Sequence, residues 1–361
     1  MDFFELLQLS IGIIEKVPAT EDTNWEEIFA VAKKQSLTGV MYSGIKKLPQ
    51  EQRPPKKILL NWYLVTEKIK KRNLHLNEMA VRIVEQYTAE GFQVCILKGQ
   101  GNALMYPDPM KRNSGDIDIW MKPTEDDVSM KTIRSIVNKY VMEHYKKYKI
   151  RFYHIEYLVD KIHVEAHYVP GIMNNPLYNA RLQRYYRIHQ KEQYDNWKKL
   201  PNDTGQIPVP TYEFNVIFQL SHMMHHYFDE GIGLRQMMDY YFVLKKQNEG
   251  RCKKEDLQRT LNYLGLWKFA GAVMYVMQCV FLLEQEFMIA PVDEKRGQSL
   301  MRVILKGGNF GKYSRLTKHG AGSKYLLKNW RSIRLVKEYP AEALSEPLFR
   351  TWHFFWRFFN S

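Results

Sequence analysis

The stretch SGDIDIWM, Ser114 to Met121, suits an extended chain with two chemically opposed faces. Side chains alternate along a strand, so Ile117, Ile119 and Met121 fall on one side and Asp116 and Asp118 on the other. The apolar side fits a core. The acidic side sets two like charges next to each other, each repelling its neighbour and each preferring water to a packed sheet. A cation between them would stabilise the pair, and a divalent metal is the candidate.

The rest of the chain can support such a site. Its 361 residues, 45% hydrophobic and 14% aromatic, suffice for two or three compact units with real cores. A balance of 53 Lys and Arg against 39 Asp and Glu, net charge +14, favours polyanionic or phosphorylated partners over cationic ones. The three cysteines, Cys95, Cys252 and Cys279, provide neither a disulfide framework nor a CxxC zinc site and fit a reducing cytoplasm. At the start, MDFFELLQLSIGIIEK carries Asp2 and Glu5 where a secretory signal is positive, so it reads as a helix. The longest apolar stretch, Phe269 to Leu283, is short for a membrane span and interrupted by Gln278. It reads as a buried core helix, and no transmembrane span is expected.

Residues 1–90 space their apolar positions three and four apart, with Pro54 and Pro55 as a break, and predict an N-terminal helical region. From Phe92 the texture changes. FQVCILKG and DIDIWM read as strands, the segment from Thr124 to about Lys147 as a helix, and IRFYHIEYLV and KIHVEAHYV as two strands joined at Asp160 and Lys161. Together these predict an α+β core over residues 91–175, a small mixed sheet with helices against it. Residues 176–361 read as a linker and a C-terminal helical domain, with a Pro-rich joint at LPNDTGQIPVPTYEF. The basic, aromatic end LFRTWHFFWRFFN is suited to docking on the protein itself, a partner or a membrane surface.

Around the acidic strand other residues point to phosphate chemistry. Gly99 and Gly101 allow backbone amides close to an anion, and Lys98 and Arg112 can neutralise phosphate oxygens. In IHVEAHY, alternation puts His163, Glu165 and His167 on one face, with Val164 and Ala166 on the other. Asp116, Asp118 and Glu165 together make the oxygen-rich cage that Mg²⁺ prefers, with Mn²⁺ as a substitute. Two ions held there suit in-line displacement on a triphosphate, so the chemistry implied is nucleotidyl transfer from an NTP. Asp116 and Asp118 are the shared ligands and Glu165 completes the site for the attacking hydroxyl; His167, one strand step on, is a candidate nucleotide contact.

At these residues the chain resembles the DNA polymerase β-like nucleotidyltransferase superfamily, whose pattern is a Gly-Gly or Gly-Ser turn, an Asp-x-Asp strand and a later carboxylate. LKGQGNALMYPDP, Arg112, GDIDI and VEAH resemble most closely its bacterial, uncharacterised branch, and the likeness extends to HMMHHYFDEGIGLRQMMDYY and GGNFG. The turn departs from the pattern, reading Gly99-Gln100-Gly101, and the spacer to Asp116 is longer than usual.

Other motifs carry less. His222 and His226 lie four apart on one helix face without the acid of a zinc-protease motif, and Arg235 and Asp239 have the spacing of an intrahelical ion pair. GGNFGKYS lacks a residue and the Ser or Thr of a P-loop, and reads as a turn. Two readings compete with the transferase: a non-catalytic scaffold binding nucleic acid or a protein, and a phosphohydrolase centred on His222, His225 and Asp239. The acceptor is open among RNA, a sugar, a small molecule and a protein.

Overall fold

The computed structural model describes residues 1–18, 23–125, 128–246, 253–313 and 321–360. Helices lead in: α1 (Phe3–Ile11), α2 (Trp25–Lys34), α3 (Thr38–Lys47) and α4 (Lys56–Ala89). Asp2 and Glu5, the acids that argued against a signal peptide, form a capping box, each side chain accepting from the other's backbone N–H. The break at Pro54-Pro55 is real, and α4 begins directly after it.

The sheet follows. Its strands in chain order are β1 (Phe92–Ile96), β2 (Ile117–Pro123), β3 (Tyr148–Ile150), β4 (His154–Val159) and β5 (Ile162–His167), with the short α5 (Gln100–Ala103) and the longer α6 (Met130–His144) between them. They lie side by side in the order β1-β2-β5-β4-β3. β2 is parallel to β5 and the remaining pairs are antiparallel, so the expected α+β architecture with a small mixed sheet is present. Parallel pairing requires a crossover, and the chain between β2 and β5, including α6, supplies it.

Alternation along β2 separates two cores. Ile117, Ile119 and Met121 join Val94, Ile96, Val164 and Ala166 of neighbouring strands, Ile83 and Tyr87 of α4, and Val137 of α6. Trp120 faces the other way and stacks on Phe214 at 5.8 Å. There it belongs to a larger core shared by α1 to α3 and the helices that follow the sheet. The latter are α7 (Pro176–Tyr194), α8 (Tyr212–Asp229), α9 (Leu234–Lys246), α10 (Lys254–Tyr263), α11 (Trp267–Phe281), α12 (Glu294–Gly307), α13 (Ala321–Leu335) and α14 (Pro340–Asn360). The apolar run from Phe269 is the buried face of α11, with Gln278 and Cys279 on its exposed side. No helix among the described residues is long and apolar enough to cross a membrane. Cys95 is buried as a free thiol; Cys252 lies outside the described residues.

Two local expectations need correction. The helix expected from Thr124 starts at Met130 because Ser129 caps it, while Thr124 still bonds back to Gly91 beside β1; residues 126 and 127 are outside the described set. IRFYHIEYLV is two strands, not one, since Phe152 leaves the sheet to pack edge-on against Phe349, Trp352 and Trp356 of α14. The Pro-rich joint is spanned by a small hairpin in which β6 (Trp197–Lys199), just ahead of it, pairs with β7 (Gln206–Pro208). Asp160 and Lys161 join β4 to β5 with φ of 47° and 69°, the doubly left-handed turn whose twist matches a hairpin.

The aromatic C-terminal end thus docks on the protein's own sheet through Phe152. A buried acid near the start of α14 anchors it: Glu342 accepts from the backbone N–H groups of Asn174 and Asn175, at 2.9 and 3.1 Å, just beyond β5. Burial pushes the Glu342 carboxyl up to about 7, against the pull of those two amides. Linkage fixes the sign. Below the ordinary value near 4.5 the group is protonated folded or unfolded; between 4.5 and 7 the unfolded chain ionises first, so stability falls as pH rises, and above 7 the loss is complete. Urea unfolding of wild type and Glu342→Gln across pH 4.5 to 7.5 should show the variant gaining, relative to wild type, on the order of 3 kcal/mol. A difference that stays constant with pH would refute the assignment.

Candidate active site

Parallel pairing sets Asp118 of β2 level with Glu165 of β5, and Trp120 level with His167. The second and third acids are therefore neighbours on one sheet face, and Asp116, just ahead of β2, is on that face by alternation. β4 brings His154 opposite His167 and Glu156 opposite Glu165. Asp116, Asp118, Glu156 and Glu165 open into one cleft of about 850 Å³ between the sheet, the first turns after β1, α8, α9 and the C-terminal helices.

The three acids sit in different electrostatic surroundings. Asp118 is buried, and burial alone would protonate it, but Lys98 Nζ at 3.0 Å and His167 Nε2 at 3.2 Å hold its carboxyl far below the usual range. Glu165 is likewise opposed by burial and held low by His167, whose Nε2 lies 3.3 Å from it. Those two carboxylates outweigh the burial of His167 and raise its pKa. Asp116 differs. Desolvation within the cleft and the charge of Asp118 push its pKa up, and no cation among the described residues lies within ion-pair distance of it. Its side chain reaches solvent all the same, so it is an accessible carboxylate in a confined, negatively charged corner.

Lys98 follows β1 and turns into this corner. It donates to His222 Nε2 at 3.0 Å as well as to Asp118, and His226 Nε2 lies 2.9 Å beyond. Burial and the adjacent ammonium hold His222 far below its ordinary value, so the ring is a neutral acceptor that aims Lys98 at the acids. The helical histidines therefore belong to the cleft. They do not build the phosphohydrolase centre, because Asp239 is bonded elsewhere. Among the described residues, the group of three His, Cys, Asp or Glu side chains close enough together to share a metal is His154, Glu165 and His167; the expected trio of Asp116, Asp118 and Glu165 is not drawn together that tightly.

Four of the expected nucleotide contacts are placed differently. Arg112 is fully buried, and its Nε and Nη2 reach the two carboxylate oxygens of Asp239 at 2.7 and 2.6 Å, while Nη1 bonds Ser114. It braces the loop ahead of β2 and does not line the cleft; the i, i+4 pairing of Arg235 with Asp239 is replaced by this longer-range one. His167 lies behind the carboxylates as their clamp. Gly99 is needed for its φ of 59° at the turn, and Gly101 because a Cβ there would come 2.9 Å from Val209; neither lines the cleft. Of the arginines that do, Arg151 pairs with Glu156 and Arg350 with Asp229 and Glu346, whereas Arg235, mostly buried, has Nη1 on the Asn113 carbonyl at 3.1 Å and no carboxylate partner among the described residues. Its intrahelical spacing to Asp239 concealed it in the sequence. His154, Phe310 and Arg350 also enter the cleft, though none of them was among the residues expected at the site.

The buried pair makes a stability prediction. Asp239→Asn leaves the Arg112 guanidinium uncompensated and should lose about 3–5 kcal/mol of unfolding free energy, whereas Arg112→Met with Asp239→Leu should lose less than that single change. Equal losses in urea unfolding would deny the pair its bracing role.

Comparison with known proteins adds one finding. Residues 21–282 match the model of a family described as uncharacterised nucleotidyltransferase, and no curated protein or solved structure matches the chain. The matched span takes in α4, the whole sheet, the three acids, Lys98 and the histidines of α8, and ends just after α11. Since it covers most of the chain, this protein belongs to the uncharacterised nucleotidyltransferase family.

Proposed function

We propose that the protein transfers a nucleoside monophosphate from an NTP to an acceptor nucleophile in a divalent-metal-dependent reaction centred on Asp116, Asp118 and Glu165. The observation that carries this is the state of Asp116, an accessible carboxylate beside Asp118 that no cation among the described residues pairs with at ion-pair distance. Such a corner favours an added positive charge, and an all-oxygen donor set suits Mg²⁺ or Mn²⁺. The residues therefore fit the ion: Asp116 and Asp118 would hold it, with Glu165 for a second on the side of the attacking group. When bound, such ions neutralise phosphate charge and activate the attacking hydroxyl.

The chain's own groups account for the rest. Lys98, kept charged by the acids despite its burial, supplies a cation at the corner. Arg235 supplies a second that is already desolvated and paired with no acid among the described residues, so a phosphate oxygen is a natural partner for its guanidinium. Both are held before substrate arrives, by His222 in one case and by the Asn113 carbonyl in the other, which lowers the cost of ordering them in the transition state.

The test is transfer of label from four α-phosphate-labelled NTPs, each with Mg²⁺ or Mn²⁺, into the RNA, protein and small-molecule fractions of a cell extract. Wild type should label one fraction. Asp116→Asn should reduce this by at least about a hundredfold. The same variant should be no less stable than wild type at pH 7, because it removes a charge that the folded state disfavours. Undiminished transfer by Asp116→Asn would overturn the proposal.

A further inference from the structure

The turn after α12, GGNFG, lies beyond the family match yet forms part of the cleft wall. Phe310 at its tip has φ 51° and ψ 32°, a left-handed conformation that costs a non-glycine residue about 1–3 kcal/mol unless the surroundings impose it. Here they do. Asn309 on one side is buried and accepts from Arg235 Nε at 3.4 Å; Gly311 on the other is pressed against α8, where a Cβ would come 2.0 Å from the Glu230 carbonyl oxygen. The ring is thereby held half-exposed in the cleft, with the Arg235 guanidinium 5.3 Å from its centroid and the His226 ring edge-on at 5.1 Å.

Most other aromatics of the cleft are committed elsewhere. Phe152 and Phe349 pack together in the aromatic cluster of α14, Phe228 is fully buried, and Tyr153 is flanked by His154, His167 and His225; Phe354, exposed on α14, lies against Phe355 and has no cation over its ring among the described residues. Phe310 is tied instead to Arg235, the acid-free cation proposed for phosphate, and so stands one side chain away from the phosphate position. A planar π-face beside a phosphate-binding guanidinium is the arrangement that a nucleotide, with its base and its phosphates a ribose apart, can occupy at both ends.

Resting on the transferase reading of the site, we infer that Phe310, backed by Arg235, is the stacking platform for the base of the incoming nucleoside triphosphate. Stacking recognises a ring face and not a hydrogen-bonding edge, so the platform binds purine and pyrimidine triphosphates alike, with the larger purine surface favoured.

The test compares calorimetric affinities for ATP, CTP and inorganic tripolyphosphate, each with Mg²⁺ and without acceptor, for wild type, Phe310→Asn and Phe310→Trp. Asn is chosen because it tolerates the left-handed conformation, and tripolyphosphate binding serves as the check that the variant is folded. Wild type should bind ATP and CTP at least about tenfold more tightly than tripolyphosphate. Phe310→Asn should lose about ten- to a hundredfold for both nucleotides and leave tripolyphosphate unchanged, and Phe310→Trp should retain the preference. If Phe310→Asn binds the nucleotides as wild type does, or if wild type itself shows no preference over tripolyphosphate, the platform is refuted while the transferase reading stands. If wild type binds neither the nucleotides nor tripolyphosphate, both fall together. Should Phe310→Asn lose tripolyphosphate as well, the residue supports the wall of the cleft and not the base, and the inference fails on that result.

Discussion

Charge compensation beneath the acidic sheet face is the constraint on which the rest depends. Carboxylates withdrawn from water persist as anions only where partners repay their desolvation. Asp118 has Lys98 and His167, and Glu165 has His167. Lys98 in turn requires an acceptor on its other side, and His222 provides it from α8. One buried negative charge on β2 thus fixes the rotamer of a lysine after β1, the charge state of a histidine on β5 and the neutrality of a histidine more than a hundred residues later. The pair of Arg112 and Asp239, joined by the Tyr106 hydroxyl, repeats this logic one layer away and ties the loop ahead of β2 to α9.

What the sequence revealed follows from the range of each interaction. The two-residue period of β2 and β5 is local, so the acid faces and the opposing Ile, Val and Ala faces were readable from the residues themselves. The partner of each strand was not. That Asp118 stands beside Glu165 depends on a parallel pairing across an intervening helix and two strands, which no local pattern specifies. Strand ends were least legible, as Phe152 shows, because its departure from the sheet is determined by aromatic side chains two hundred residues away.

The exchange of roles between Arg112 and Arg235 is the instructive case. By spacing, Arg235 and Asp239 are helical neighbours, while Arg112, two residues from the acidic strand, looks poised for phosphate. An i, i+4 pair on an exposed helix is worth only about 0.2–0.5 kcal/mol. A two-pronged guanidinium–carboxylate contact, dry and joined by a tyrosine hydroxyl, competes successfully for the same acid, and the arginine it displaces becomes the one available to a ligand. Proximity in sequence identified the acid correctly and assigned it the wrong partner.

The cleft is consequently built from two kinds of wall. Its acidic side is formed by buried strands whose register cannot slip without turning every side chain to the opposite face. Its other side comes from a left-handed turn and from α13 and α14, held by Glu342 on two backbone amides and by Asp229 on α8, which pairs with Lys328 and Arg350. A handful of polar contacts and one aromatic cluster is a much less demanding specification than a five-stranded register. That part of the cleft lies past residue 282, outside the span that matches the family, whereas α8 and α9, which also line it, lie within that span. The chemistry proposed for the protein thus rests on the sheet and on the cations braced by α8 and α9, and the turn after α12 with the C-terminal helices completes the cleft around them.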